Sequence, residues 1–294
     1  MKLNEFEILQ LLKNGLIEAA ETKGQKLNER AFGSRRWANS EKRVFYLYDY
    51  RNNLFDRPNP KTELGIGIEA VRSSAAMIYN LLGENELVLD GKPYTNIEYE
   101  RTFPSVKGRT PAHLDAVFHS KDQSEMYAVE AKLLEWENSP KNLAKAYLDI
   151  DNYIIPGKES QAFIDFFKTL INEELDKDGR YKHEFKKYDA IQMTIHTLAL
   201  WNHFSQENSS PVNKLTLQNI VWKYDCDEYV TEEKEAYKFL KEANERFAVL
   251  FKTRGIDFSI QYSTFQDFKK RIDFSNDTKR YEYLKRYEIT GEER

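Results

Sequence analysis

Cysteine is nearly absent from this chain, with Cys226 the single one in 294 residues. That excludes an intrachain disulfide and any metal cluster built on cysteine. No apolar run approaches the length of a membrane span, and the start Met1-Lys-Leu-Asn-Glu-Phe-Glu7 lacks the apolar stretch of a signal peptide. The expectation is a cytoplasmic protein without a membrane partner. Glycine-rich phosphate loops, internal repeats and low-complexity linkers are also missing, which removes P-loop chemistry and solenoid architectures. A positive overall charge is lacking as well: 44 lysines and arginines stand against 48 aspartates and glutamates, for a net charge of −4. Whole-molecule charge therefore does not announce a nucleic-acid partner.

Tyrosine and phenylalanine are abundant, at 18 each, which fits a large core with many polar tips. A chain of this length can bury such a core as one elaborated domain or as two. Charge is unevenly spread. Between Lys23 and Arg43 there are seven basic residues against two acidic ones, with Phe32 and Trp37 interleaved. Basic side chains neutralise phosphates and aromatic rings stack on bases, so Arg35 and Arg36 here, and Lys107 and Arg109 in a later turn, are candidate nucleic-acid contacts. A solvated helix face is the plainer reading of the same stretch.

Hydrophobic periodicity predicts a helix over residues 65–83, where Ile68, Val71, Ala75, Ile78 and Leu82 form one stripe that stops at Gly83. Residues 97–101 alternate as a strand, the turn-rich Pro104-Ser-Val-Lys-Gly-Arg-Thr-Pro111 follows, and two apolar strand-like runs occupy 113–118 and 126–134. Residues 135–187 read as an irregular, charged insertion with two short helices. From 185 to 204 a helical stripe of Tyr188, Ile191, Ile195 and Leu198 is preferred over a strand, and 215–224 closes the order as a strand. Further helices are expected at 3–22 and at 231–252, the second stopped by Gly255. The implied organisation is a helical, basic region at 1–63, a core at 64–230 and a helical extension at 231–294.

The two apolar runs carry charges. Asp115 sits in His113-Leu-Asp-Ala-Val-Phe118, and Glu130 and Lys132 sit in Met126-Tyr-Ala-Val-Glu-Ala-Lys-Leu-Leu134. Uncompensated charge in an apolar interior costs several kcal/mol, so such residues are paired, neutralised or bound to a cation. Alternation along a strand puts Glu130 and Lys132 on one face and Tyr127, Val129, Ala131 and Leu133 on the other. If the runs pair through the turn at 119–125, Asp115 can lie beside Glu130 and share a hard divalent ion, magnesium or manganese. A buried salt bridge of Lys132 with either acid is the alternative.

At these residues the chain resembles the PD-(D/E)XK nuclease superfamily, the fold of many restriction endonucleases and of RecB-type nucleases. Acid-x-lysine alone occurs seven times in the chain, so the resemblance rests on the surrounding order of helix, three strands, helix and strand across residues 64–224. It implies an α/β (α+β) restriction-endonuclease-like core, with a mixed sheet flanked by helices and helical additions at both ends. It implies a magnesium- or manganese-dependent nuclease acting on DNA, duplex foremost, with Asp115, Glu130 and the carbonyl of Ala131 on the metal and Lys132 positioning or deprotonating the attacking water. Glu69, on the first helix, becomes a further metal or supporting contact, with a boundary glutamate as its plain reading. Gln192 and His196, four apart, resemble the glutamine-xxx-tyrosine motif of RecB-type members, with histidine in place of tyrosine. His113 stays outside this set. Cutting both strands would favour a homodimer. A binding or assembly protein that keeps the fold without the chemistry, and the same chemistry on RNA or on single-stranded or branched DNA, are the alternatives.

Overall fold

Alternating apolar residues and one glycine turn start the sheet. In the computed structural model, which describes residues 7, 8, 11, 12, 74–83, 86–133, 140–206, 210–223 and 227–288 (backbone alone at 227, 228 and 286), β1 (Leu87–Leu89) folds back on β2 (Lys92–Phe103) through Asp90-Gly91. Both turn residues have positive φ, 51° and 75°, the hairpin geometry that Asp-Gly favours. β3 (Ala112–Ser120) and β4 (Glu125–Lys132) continue antiparallel, and β7 (Lys214–Val221) and β8 (Asp257–Thr264) add in parallel. The six strands lie in the order β1-β2-β3-β4-β7-β8. The fold is thus α/β, a mixed central sheet with helices on both faces.

Parallel pairs need long crossovers. α3 (Ala190–Gln206) lies in the connection from β4 to β7, and α4 (Asp227–Lys252) is the link from β7 to β8. Both pack with α2 (Lys158–Thr169) on one face, in a core built on Met126, Ala128, Leu215, Leu217, Phe258 and Ile260. The opposite face carries Tyr127, Val129, Ala131 and Leu133 against α1 (Ser74–Leu82), α5 (Phe265–Lys270) and α6 (Thr278–Leu284), the alternation expected from sequence.

Gly83 ends α1 with φ 78°, its N–H donating to the Tyr79 carbonyl at 2.9 Å, and a Cβ there would overlap the Arg280 guanidinium. Gly83→Ala is therefore expected to cost about 1–2 kcal/mol, seen as a melting temperature lower by a few degrees. An unchanged melting curve would show that Arg280 and the backbone relax freely.

Several expectations change. α3 starts at Ala190 because Asp189 accepts from the Gln192 N–H at 3.0 Å and caps it there, after the preceding residues have turned. Among its described residues the insertion holds 3-10 turns at Lys145–Leu148 and Ile150–Asn152, the one α-helix α2, and a small hairpin of β5 (Ile171–Leu175) with β6 (Tyr181–His183). The segment after residue 231 is not wholly helical, since β8 alternates Phe258 and Ile260 inward and completes the sheet. Of the expected helix at 3–22, the described residues 7, 8, 11 and 12 are helical, with Ile8 and Leu12 buried. The expected start of the first helix before Ser74, Glu69, and Arg35 and Arg36 with most of the N-terminal basic stretch lie outside the described residues. No helix among the described residues is long and apolar enough to cross a membrane.

Candidate functional site

The β3–β4 ladder runs from His119↔Met126 to Ala116↔Val129 and stops. One step further the same register sets Asp115 opposite Glu130. There the strands separate while β4 stays paired with β7 as far as Lys132↔Val221. Asp115 closes the gap with its side chain, Oδ2 accepting from the Ala131 N–H at 2.6 Å in place of a ladder carbonyl. The sheet therefore opens where the two acids meet, near the carboxyl ends of the parallel strands, where ligands of open α/β sheets commonly bind.

A second irregularity explains why it opens. On β3, Ala112 and Leu114 enter the α3-side core while Ala116 and Phe118 enter the other; on β2, Tyr99 lies in the second core and Phe103 in the first. A regular strand keeps residues two or four apart on one face. Both strands thus reverse sides between these residues, at Asp115 and at its register neighbour Glu100. Glu100 holds φ 53°, an unusual conformation for glutamate. Its side chain is buried and lies 3.8 Å from His113 Nδ1.

Glu130 is the centre of the site, 4% exposed. Its Oε1 accepts from Lys132 Nζ at 2.7 Å and from Gln192 Nε2 at 2.7 Å, while Lys132 also donates to Gln192 Oε1 at 2.8 Å. The three side chains form a closed knot joining β4 to α3. His196, one turn along α3, brings Nε2 to 3.1 Å from Glu130 Oε2. That is ion-pair distance, although neither buried ring nitrogen makes a hydrogen bond of normal geometry. Burial opposes ionisation of Glu130, yet the Lys132 ammonium and the His196 imidazole outweigh it and hold the carboxyl below the usual carboxylate range. Burial lowers the pKa of His113, with His196 acting in the same direction and Glu130 against it. Asn219 of β7 donates to the Glu130 carbonyl at 3.1 Å and fixes the peptide from behind.

Of the residues expected from sequence, Asp115, Glu130, Ala131, Lys132 and Gln192 come together. Lys107 and Arg109 are exposed on the β2–β3 hairpin at the same end of the sheet, with Lys107 Nζ donating to the Asp151 carbonyl at 3.1 Å. The salt-bridge alternative for Lys132 is present as its ion pair with Glu130. Glu100 and Asn219 were not anticipated. A polar residue in the apolar run of β7 could have marked Asn219, whereas nothing local marks the left-handed backbone of Glu100. Among the described residues, no three of histidine, cysteine, aspartate and glutamate converge on a metal position.

Comparison of the chain with protein-family models, with curated proteins and with solved structures finds no match.

Proposed function

We propose that this protein is a metal-dependent nuclease that hydrolyses DNA phosphodiester bonds on a restriction-endonuclease-like core. The observation that carries the reading is the opened sheet, with Asp115 opposite Glu130 and Lys132 on the same carboxylate, between the four-strand meander β1–β4 and a helix followed by a parallel strand. A structural salt bridge needs one acid and one base; the second carboxylate aligned at the point where the ladder breaks is what a shared cation site would use.

The donors suit magnesium or manganese in kind, being hard oxygens of Asp115, Glu130 and the Ala131 carbonyl. Two protein carboxylates without a third are compatible with magnesium, which commonly keeps several waters and uses substrate phosphate for the rest. Such an ion supplies activation of water and charge neutralisation at phosphorus. The chain's own residues do the remainder. Gln192 orients the Lys132 ammonium toward Glu130, and Lys132 would position the attacking water and meet the phosphate. The Ala131 N–H holds the Asp115 carboxylate in place.

Supercoiled, linear and single-stranded DNA and RNA, incubated with magnesium, manganese or chelator, test this. Metal-dependent cutting that falls by ~10²–10⁴-fold in Asp115→Asn and in Lys132→Ala supports it. Folded protein that cuts nothing and binds no divalent ion sinks it. That second outcome would favour a nucleic-acid-binding protein without chemistry, a reading supported by the way Lys132, Glu130 and Gln192 satisfy one another.

A further inference from the structure

The polar row at the site continues across the sheet. Glu130 pairs with Asn219 and Asn219 with Tyr262, so all three project from the face that α3 and α4 cover. Adjacent strands are ~4.8 Å apart, which places Tyr262 about 10 Å from Glu130 along the row. Here the chemistry turns aromatic. The Tyr262 hydroxyl donates to Glu232 at 2.6 Å and lies 3.3 Å from the Tyr229 hydroxyl, and Lys223 sits over the Tyr229 ring at 4.9 Å. The Tyr262 ring meets Tyr237 of α4 edge-on at 5.8 Å.

Tyr237 is 57% exposed, a large ring left open at the far end of the row that starts at the candidate site. Lys234 and Lys241, three residues before it and four after, are exposed on the same helix face, and Val230, 43% exposed, extends the stripe. An exposed tyrosine between two lysines combines a stacking surface with phosphate neutralisation. Of the acids on this helix, Glu232 and Glu235 are taken up by other contacts, whereas Glu242 and Glu245 are exposed just beyond Lys241. Burial raises Glu232 to about 8, so it stays largely protonated at neutral pH. The Glu235 carboxylate is engaged by the backbone N–H groups of Lys186, Lys187 and Tyr188 at 2.8–3.0 Å. Glu233 accepts from the Tyr229 hydroxyl at 3.1 Å.

We infer that Tyr237, flanked by Lys234 and Lys241, is a subsite for an unpaired nucleobase and its neighbouring phosphates on the strand being cut, which makes single-stranded nucleic acid the preferred substrate form. The inference rests on the nuclease reading and adds the strand form to it. A duplex presents its bases stacked inside and offers Tyr237 only backbone, so stacking discriminates strand form with no base-specific contact.

Binding of fluorescein-labelled oligothymidylate, oligouridylate and a DNA duplex, followed by anisotropy in chelator, tests it with cleavage silenced. Tyr237→Ser should weaken single-strand binding by roughly 5- to 150-fold, equivalent to a lost stack of ~1–3 kcal/mol, and change duplex binding less than about twofold. Tyr237→Phe should keep the affinity, and Lys234→Gln with Lys241→Gln should reduce the salt dependence by about two phosphate contacts. Equal losses on single strand and duplex, or no loss on either, overturn the subsite while metal-dependent cleavage by the wild type leaves the nuclease reading standing. Wild-type protein that binds none of the three probes overturns the subsite, and the nuclease reading falls with it only if the wild type also cuts nothing with magnesium or manganese.

Discussion

Lys132→Met is expected to destabilise the fold by about 3–5 kcal/mol at neutral pH, because it strands a carboxylate that is 4% exposed. In the native chain Glu130 Oε1 receives both Lys132 and Gln192, each at 2.7 Å. Its pKa is depressed, so its contribution to stability is fully present above the unfolded carboxylate value of about 4.5 and is lost as pH falls below that. Removing the ammonium leaves burial opposed by His196 and the Gln192 amide, so the carboxyl pKa should rise and the sign should reverse: the variant should lose stability as pH increases through the neutral range. Urea unfolding at about pH 5 and about pH 8 reads this directly. Glu130→Gln in the Lys132→Met background should recover most of the loss, since no buried charge remains. A single variant as stable as wild type at both pH values would mean that the pair contributes nothing to the fold. None of this depends on what the protein binds.

Glu232→Gln should have the opposite effect and a comparable size. Glu232 is 2% exposed on α4, and burial raises its pKa from 4.5 to about 8. The folded state therefore keeps a proton that the unfolded chain gives up. This stability is fully present below about pH 4.5, declines as pH rises toward 8 and is flat above it, a loss on the order of a few kcal/mol in total. Glutamine keeps an acceptor for the Tyr262 hydroxyl, now at 2.6 Å from Glu232 Oε2, and has no proton to lose. The variant should match wild type near pH 4 and exceed it by a few kcal/mol near pH 8 in thermal or urea unfolding. Parallel pH profiles for the two proteins would show that Glu232 ionises in the fold as freely as in the open chain.

The central strands were readable because burial leaves a periodic trace. Alternation placed Tyr127, Val129, Ala131 and Leu133 opposite Glu130 and Lys132, and the structure has them so. Charges inside apolar runs also betrayed themselves, since Asp115, Glu130 and Lys132 stand where nothing but pairing or ligand binding offsets desolvation. Gln192 was marked by the resemblance of Gln192 and His196 to the RecB-type glutamine-xxx-tyrosine motif, and α3 carries it to Lys132. The segment at 257–264 alternates just as plainly, although it falls inside the stretch expected as a helical extension. β8 is a strand because the edge of β7 offers it eight paired positions.

By itself, the sequence determined which faces of β3 and β4 are inside, roughly where β3, β4, β7 and α3 run, and which three charges must find partners, because these follow from side-chain chemistry and short-range period. Tertiary structure alone decided the rest. Glu100 lies beside Asp115, Asn219 behind Glu130 and Tyr237 beside Tyr262 through strand register and helix packing, which join residues far apart in the chain. The backbone reversal at Glu100 and Asp115 opens the sheet there, and no local propensity encodes it. Such contacts come from closing many loops at once, and their energies are set by neighbours that a linear pattern does not contain.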